Sequence, residues 1–286
     1  MRLIRFGSKG NAKPGLVRGD KIVDLTTIFP EIPDIGEKFF RDDWLVKVSK
    51  VNSPGRKIDV RLDCPIVRPS KLICLGINYI DHQDESGIEK PEKPLLFCKT
   101  PNALCGPHDS ILLPRSSKQI DWEVELAIII GQEGKRIPKD RAFDYIAGFC
   151  VMNDVSARDA QFGDAQWFRG KSFDTFAPLG PALITLDELD DIHNLTLSAR
   201  VNGKIMQQAN TRDMIFDIPT IVEYISEDIT LIPGDIISTG TPSGVGIFRD
   251  PPIVLQAGDV VECRVEGIGA IVNTVVEGQF SGASAG

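Results

Sequence analysis

Two acids in an apolar run raise the first chemical question. The stretch DWEVELAIII, Asp121 to Ile130, reads as a buried strand, yet it carries Glu123 and Glu125. Residues two apart on a strand share a face, which puts these carboxylates roughly 7 Å apart along the chain. Two ionised, partly buried groups repel by about 4 kcal/mol at 4 Å and an effective dielectric near 20. A solvated edge strand would relieve them, but Ala127 and Ile129 continue the same face and are apolar. A bound cation or a cationic side chain would relieve them as well. A third acid, Asp154, closes the apolar run AGFCVMND. Three carboxylates without clustered His or Cys form a hard oxygen donor set, suited to Mg²⁺ or Mn²⁺ rather than to Zn²⁺ or copper.

A second grouping lies in NYIDHQDE, where His82 and Glu85 are three residues apart. One helical turn would bring them side by side, and a carboxylate on an imidazole orients it and raises its basicity, as a general base requires. Spacing alone describes a polar surface turn equally well, and that is the plainer reading. His108 and His193 lie in polar, turn-like contexts and read as surface residues. Downstream, DVSARDAQ supplies Arg158 and Gln161 close to Asp154, and RGKSFDTFAPLGP supplies Lys171. Cations beside a metal suit an anionic substrate lying between them; the alternative is ordinary surface ion pairing. The loop STGTPSGVG has N–H groups that could hold a carboxylate, or it is simply a turn. It lacks the spacing of a phosphate-binding P-loop.

The elements that must position these residues are mostly short strands. KLICLG, LLFCK, SILLP, VELAIII, AGFCVMND, GPALIT, LTLSARVNG, DIISTG, DVVECRVEGIG and AIVNTVVEG all read as strands with Gly and Pro punctuation. Helical spacing is clear in KDRAFDYI and DIPTIVEYISED. Many strands, few helices and no βαβ alternation predict an α+β fold rather than a doubly wound sheet. Residues 1–65 read as a small N-terminal unit with a hairpin turning at Gly19-Asp20 and a helical stretch through Phe39, Phe40, Trp44, Leu45 and Val48. A larger unit follows over 66–280, and residues 281–286 form a small, polar, flexible tail.

With 286 residues and a net charge of −8, the chain is long enough for a sizeable core and too acidic to favour nucleic acid or an anionic membrane surface. Its six cysteines are scattered without a C-x-x-C pair, the usage of a reducing compartment. No apolar run approaches the roughly 20 residues of a membrane span. The start, MRLIRFGSKG, alternates like a strand and lacks the apolar core of a secretory signal, so the folded domain is expected to begin at or near it. Cytoplasm is the expected compartment.

GINYIDH, DWEVELAIIIG, DVSARD, GKSFDTFAPLGP, STGTPSGVG and LQAGDVVECRVEGIG, in this order from Arg68 to Gly278, resemble the fumarylacetoacetate hydrolase superfamily. GVGIFRDPPIVLQAGD and SFDTFAPLGPALIT make the chain most similar to its domain-containing protein 2 group. The resemblance implies a β-rich, mixed-sheet α+β roll, usually a homodimer. It implies that Glu123, Glu125 and Asp154 bind Mg²⁺ or Mn²⁺ and that His82, Glu85 and Lys171 are catalytic. Arg158, Gln161 and Thr241 would then receive substrate. Asn78 stands near where the name-giving hydrolase has a further aspartate ligand, which points away from fumarylacetoacetate itself. The implied substrate is a small anionic 2-oxo or 2,4-dioxo carboxylate reacting through an enolate that the cation stabilises. Two outcomes are nearly balanced, C–C hydrolysis of acylpyruvates and oxaloacetate keto–enol tautomerisation, with a slight lean to oxaloacetate. Oxaloacetate decarboxylation and a non-catalytic metal-binding scaffold are the alternatives. The similar group is mitochondrial, which makes the matrix the alternative compartment.

Overall fold

The apolar runs pair as neighbours in one large sheet. The computed structural model describes residues 1–57, 59–87 and 89–278; the tail expected over 281–286 lies outside them. At the centre, Val124–Ile130 runs antiparallel to Ile146–Asn153, with Val124 opposite Asn153 and Glu125 opposite Met152. Every residue of Val124–Ile130 is buried, which is why it reads as a continuous apolar run rather than an alternating one. On one side of this pair the sheet continues through Ile236–Ser238, Leu72–Leu75 and the edge strand Leu96–Lys99. On the other it continues through Ala177–Ile184, Arg2–Phe6, Lys13–Arg18 and Lys21–Asp24. Most pairs are antiparallel, but Ile236–Ser238 lies parallel to Leu72–Leu75, so the sheet is mixed.

A second sheet orders Lys204–Asn210, Thr196–Val201, Val260–Val265, Gly269–Glu277 and Ile111–Leu113, and its inner strands pack on the central pair of the first. Neither sheet closes into a barrel. The longest α-helix among the described residues, Ile218–Ser226, starts on Asp217, whose carboxylate accepts from the Thr220 N–H at 2.9 Å. No helix among them is long and apolar enough to cross a membrane. The fold is therefore α+β and β-rich, as the pattern predicts.

Two differences from the sequence reading have local causes. Lys139–Tyr145 is helical as expected but of the tighter 3₁₀ kind. Strand Lys204–Asn210 escapes the pattern because only Met206 and Gln207 of it are buried; its signal is the Asn202-Gly203 turn, with φ of 51° and 78°. The large sheet draws strands from both sides of residue 65. Arg2–Phe6 pairs with its own hairpin on one side and with Ala177–Ile184 on the other, Arg2 opposite Ile184.

Two short helices, Arg158–Gly163 and Phe168–Lys171, carry the cationic residues toward the end of the central pair. They touch backbone to backbone at Gly170, where a Cβ would fall 2.6 Å from the Gln161 nitrogen and 2.8 Å from the Ala157 oxygen. Gly170→Ala is expected to destabilise by about 1–3 kcal/mol through overpacking. Gly163→Ala, where a Cβ meets nothing within 4 Å, serves as the control. Urea unfolding of both variants checks this, and equal midpoints would contradict it.

Candidate active site

The ladder between the central strands extends one bond past Val124. The Asp154 N–H donates to the Glu123 carbonyl at 2.9 Å, which fixes the two acids beside one another. Glu125 lies two residues further along the same face, and the three side chains are buried with donor oxygens within 4.8 Å of one another.

Cationic side chains meet these acids directly. The Lys171 ammonium donates to Glu123 Oε2 at 2.6 Å and to Asp154 Oδ2 at 2.8 Å. Lys99, wholly buried, takes the other Asp154 oxygen and donates to the Val155 carbonyl at 3.0 Å. Arg158 lies 2.7 Å from Glu123 Oε1 and 2.9 Å from Asp121 Oδ2. Glu125 has only neutral partners among the described residues: the Ser238 hydroxyl and the Gly240 N–H, the latter at 2.9 Å. Four buried acids thus face three buried bases, and the imbalance sits at Glu125.

The electrostatics follow from this arrangement. Burial alone would push Glu123 up, but Lys171, Arg158 and His82 outweigh it and hold its carboxyl down at about 2. Burial pushes Glu125 well above the ordinary range, and the neighbouring Asp154 and Glu123 add to it. Burial works against the Lys171 charge, yet Asp154 and Glu123 raise its pKa overall, whereas Lys99 is lowered by burial despite Asp154. A hard divalent cation fits here. It would offset the charge left on Glu125, and every donor is a carboxylate oxygen.

The loop over Ser238–Gly246 spends its N–H groups on the protein's own carboxylates. Besides Gly240 on Glu125, Gly244 donates to Glu85 at 2.9 Å and Gly246 to Asp121 at 2.7 Å. At Gly244, φ is +103° and a Cβ would fall 2.0 Å from the Met206 carbonyl oxygen, so only glycine fits. Glu85 in turn lies 3.0 Å from His82 Nδ1 on the helix Ile80–Ser86, and Ser243 donates to Asp81 of that helix at 2.6 Å. His82 and Glu85 therefore form a pair on one helical turn, with the imidazole buried, rather than a free surface turn.

One small cavity gathers most of the predicted residues. His82, Glu123, Arg158, Gln161 and Lys171 line it, together with Gly76, Ile77, Phe162, Trp167 and Phe248. Glu85 stands behind His82 rather than in the wall. Thr241 is not among the lining residues: its hydroxyl donates to the Val124 carbonyl and accepts from the Gln207 amide, at 2.9 and 2.8 Å. Asn78 is committed to the backbone of Phe216 and Thr239. His108 is exposed, and His193 is half-buried with its ring centroid 5.9 Å from that of Phe143. Lys99 and Asp121 are the participants that the motif reading passes over. Each had a signal: a lysine ending the apolar strand LLFCK and an acid opening DWEVE.

Residues 71–276 match the family model described as fumarylacetoacetate (FAA) hydrolase, C-terminal. The chain is 44% identical over 287 residues to a protein of Rattus norvegicus named oxaloacetate tautomerase Fahd2a, mitochondrial, covering 96% of this chain and 92% of that one. Among solved structures, a fumarylacetoacetate hydrolase from Exiguobacterium antarcticum superposes with a TM-score of 0.85 at 36% identity, covering 97% of this chain and 100% of that one. A maleylpyruvate hydrolase from Sphingobium sp. SYK-6, in complex with manganese(II) and pyruvate, gives 0.80 at 32% identity, covering 98% and 100%.

Asp121 is buried with both oxygens in use, on Arg158 and on the N–H groups of Trp122, Gly246 and Ile247. Asp121→Ala leaves the buried Arg158 short of a partner and is expected to lower the unfolding free energy by about 3–5 kcal/mol. Adding Arg158→Met should recover part of that loss. Urea titration of the single and double variants checks both, and simple additivity would count against the coupling.

Proposed function

The chain belongs to the fumarylacetoacetate hydrolase family, and on that footing we propose that it is an oxaloacetate keto–enol tautomerase dependent on a divalent cation. The observation that carries this is what meets at one cavity: Glu123 of the acid triad, Lys171 bonded to it, and His82, whose ring is oriented by Glu85. The relative named oxaloacetate tautomerase supports the choice of substrate. Glu123, Glu125 and Asp154 would hold Mg²⁺ or Mn²⁺. When bound, the cation supplies Lewis-acid polarisation of a 2-oxo group.

The chain's own groups do the rest. With Nδ1 turned to Glu85, the His82 ring keeps Nε2 for proton transfer. His82 takes the proton from C3 and returns it to the enol oxygen, or the reverse, so no bond breaks except C–H and O–H. The positive charge of Lys171 lies where negative charge develops on oxygen. Arg158 and Gln161, bonded to each other at 3.0 Å, orient the substrate carboxylate from the wall. Thr241 contributes by fixing the loop that follows Ser238. The substrate class is a small anionic 2-oxo acid, and assembly as a homodimer belongs to the same reading. Relatives named mitochondrial favour the matrix over the cytoplasm first expected.

A second reading is favoured by the maleylpyruvate hydrolase with manganese and pyruvate. In it, His82 and Glu85 activate water, whose hydroxyl adds to C4 of a 2,4-dioxo acid. The C3–C4 bond breaks, and C3 takes up a proton to give pyruvate.

The deciding measurement follows the absorbance of enol-oxaloacetate with protein and Mg²⁺ and assays pyruvate at the end. Fast enol loss without pyruvate is the expected result; pyruvate formation would indicate decarboxylation, and no acceleration would favour the hydrolase. Glu123→Ala should abolish both Mn²⁺ binding by calorimetry and turnover. His82→Ala should keep Mn²⁺ binding while turnover falls by about 10²–10⁴; an unchanged rate would remove His82 from the reaction.

A further inference from the structure

The cavity lining is part charged and part apolar. Phe162, Trp167 and Phe248 with Gly76 and Ile77 supply the apolar part of its wall. The rings are continuous with the proposed base: Phe248 lies 6.1 Å from the His82 ring and 6.5 Å from Phe162, centroid to centroid. Trp167 closes the lysine side, edge-on to Phe97 at 5.5 Å. It reaches that place because residue 76 is glycine, where a Cβ would fall 2.8 Å from the indole. Among the described residues, Phe162 and Phe168 are the phenylalanines most open to solvent, at 54% and 48% exposure. They sit on the two helices that carry Gln161 and Lys171. Large rings left in water beside a charged cavity mark a place where the apolar part of a ligand is buried.

The proposed tautomerisation makes no use of this wall. The rings carry no cation, so a carboxylate pressed against them would be desolvated without a charged partner. The space left among the lining side chains is about 30 Å³, and Phe162 among them is more than half exposed. Whatever projects beyond the reacting carbons of a bound acid lies against the rings.

We infer that Phe162, Trp167 and Phe248 form a subsite for an apolar group on C4 of a 2,4-dioxo acid, an aryl or branched alkyl group. Such acids bind in preference to those ending in methyl. This rests on the reading of the charged side as the 2-oxo-acid end. A four-carbon diacid keeps both carboxylates on the charged side and leaves the subsite unused.

The test is a calorimetric titration, with Mg²⁺ present, of oxalate, 2,4-dioxopentanoate and 4-phenyl-2,4-dioxobutanoate. The phenyl compound should bind about tenfold or more tighter than the methyl one, the gain from burying a ring. Phe162→Ala and Phe248→Ala should each weaken the phenyl compound by about tenfold more than they weaken oxalate. Phe162 is more than half exposed, so its replacement leaves the core intact, which an unchanged thermal midpoint verifies. If oxalate binds but the phenyl and methyl compounds bind alike, or the preference survives both substitutions, the subsite is wrong and the 2-oxo-acid reading stands. Failure of oxalate to bind with Mg²⁺ overturns the reading of the charged side, and the subsite falls with it.

Discussion

Burying like charges together is the constraint on which the rest of the structure depends. Glu123, Glu125 and Asp154 lie where water cannot screen them, and each needs compensation from a defined direction. The sheet supplies the geometry, since the bond from Asp154 to the Glu123 carbonyl keeps two of the acids in register. The short helices supply Arg158 and Lys171, the edge strand supplies Lys99, and the turn after Ile236–Ser238 supplies neutral donors to Glu125. Each supporting element is tied by its function to this charge balance. A substitution on any of them reaches the acids without replacing one.

The glycine-rich loop illustrates how such a balance is distributed. Its N–H groups resemble an anion cradle, and they do hold anions, namely the side chains of Glu125, Glu85 and Asp121. Those three acids serve the acid triad, the His82 pair and the Arg158 pair respectively. One loop thereby sets the relative positions of the acid triad, His82 and the Arg158 guanidinium. Its glycines at 244 and 246 allow the close approach: Cβ atoms there would fall 2.0 and 2.1 Å from the carbonyl oxygens of Met206 and Ile253.

What could be read from the sequence depended on whether a residue's meaning is local. Glu123 and Glu125 stand out because an apolar strand makes any acid conspicuous, and Asp154 because it ends another such strand. Most of the strand pattern is legible for the same reason: runs such as VELAIII and AGFCVMND are buried on both faces. His82 and Glu85 were ambiguous, since three-residue spacing fits a turn as well as a helix, and the deciding bonds come from residues some 160 positions away. Lys99 and Asp121 carried weak signals because a single charged residue at a strand end is usually solvated. Thr241 shows the opposite limit. Motif likeness names the residue, while the bonds to Val124 and Gln207 reveal how its hydroxyl is used.

The pairing of Arg2 with Ile184 also has a consequence for how the protein comes into being. During synthesis the N-terminal hairpins emerge first, yet the strand that seats them against the core is made much later. Until then Leu3, Ile4 and Phe6 have only their own hairpin to cover them, and a hairpin alone is marginal in water. Strand Ile111–Leu113 is paired later still, since its partner is Val275–Glu277. A nascent chain of this topology holds unpaired strands for most of its translation and closes its sheets late, which makes it slow to fold and dependent on protection of its early apolar segments.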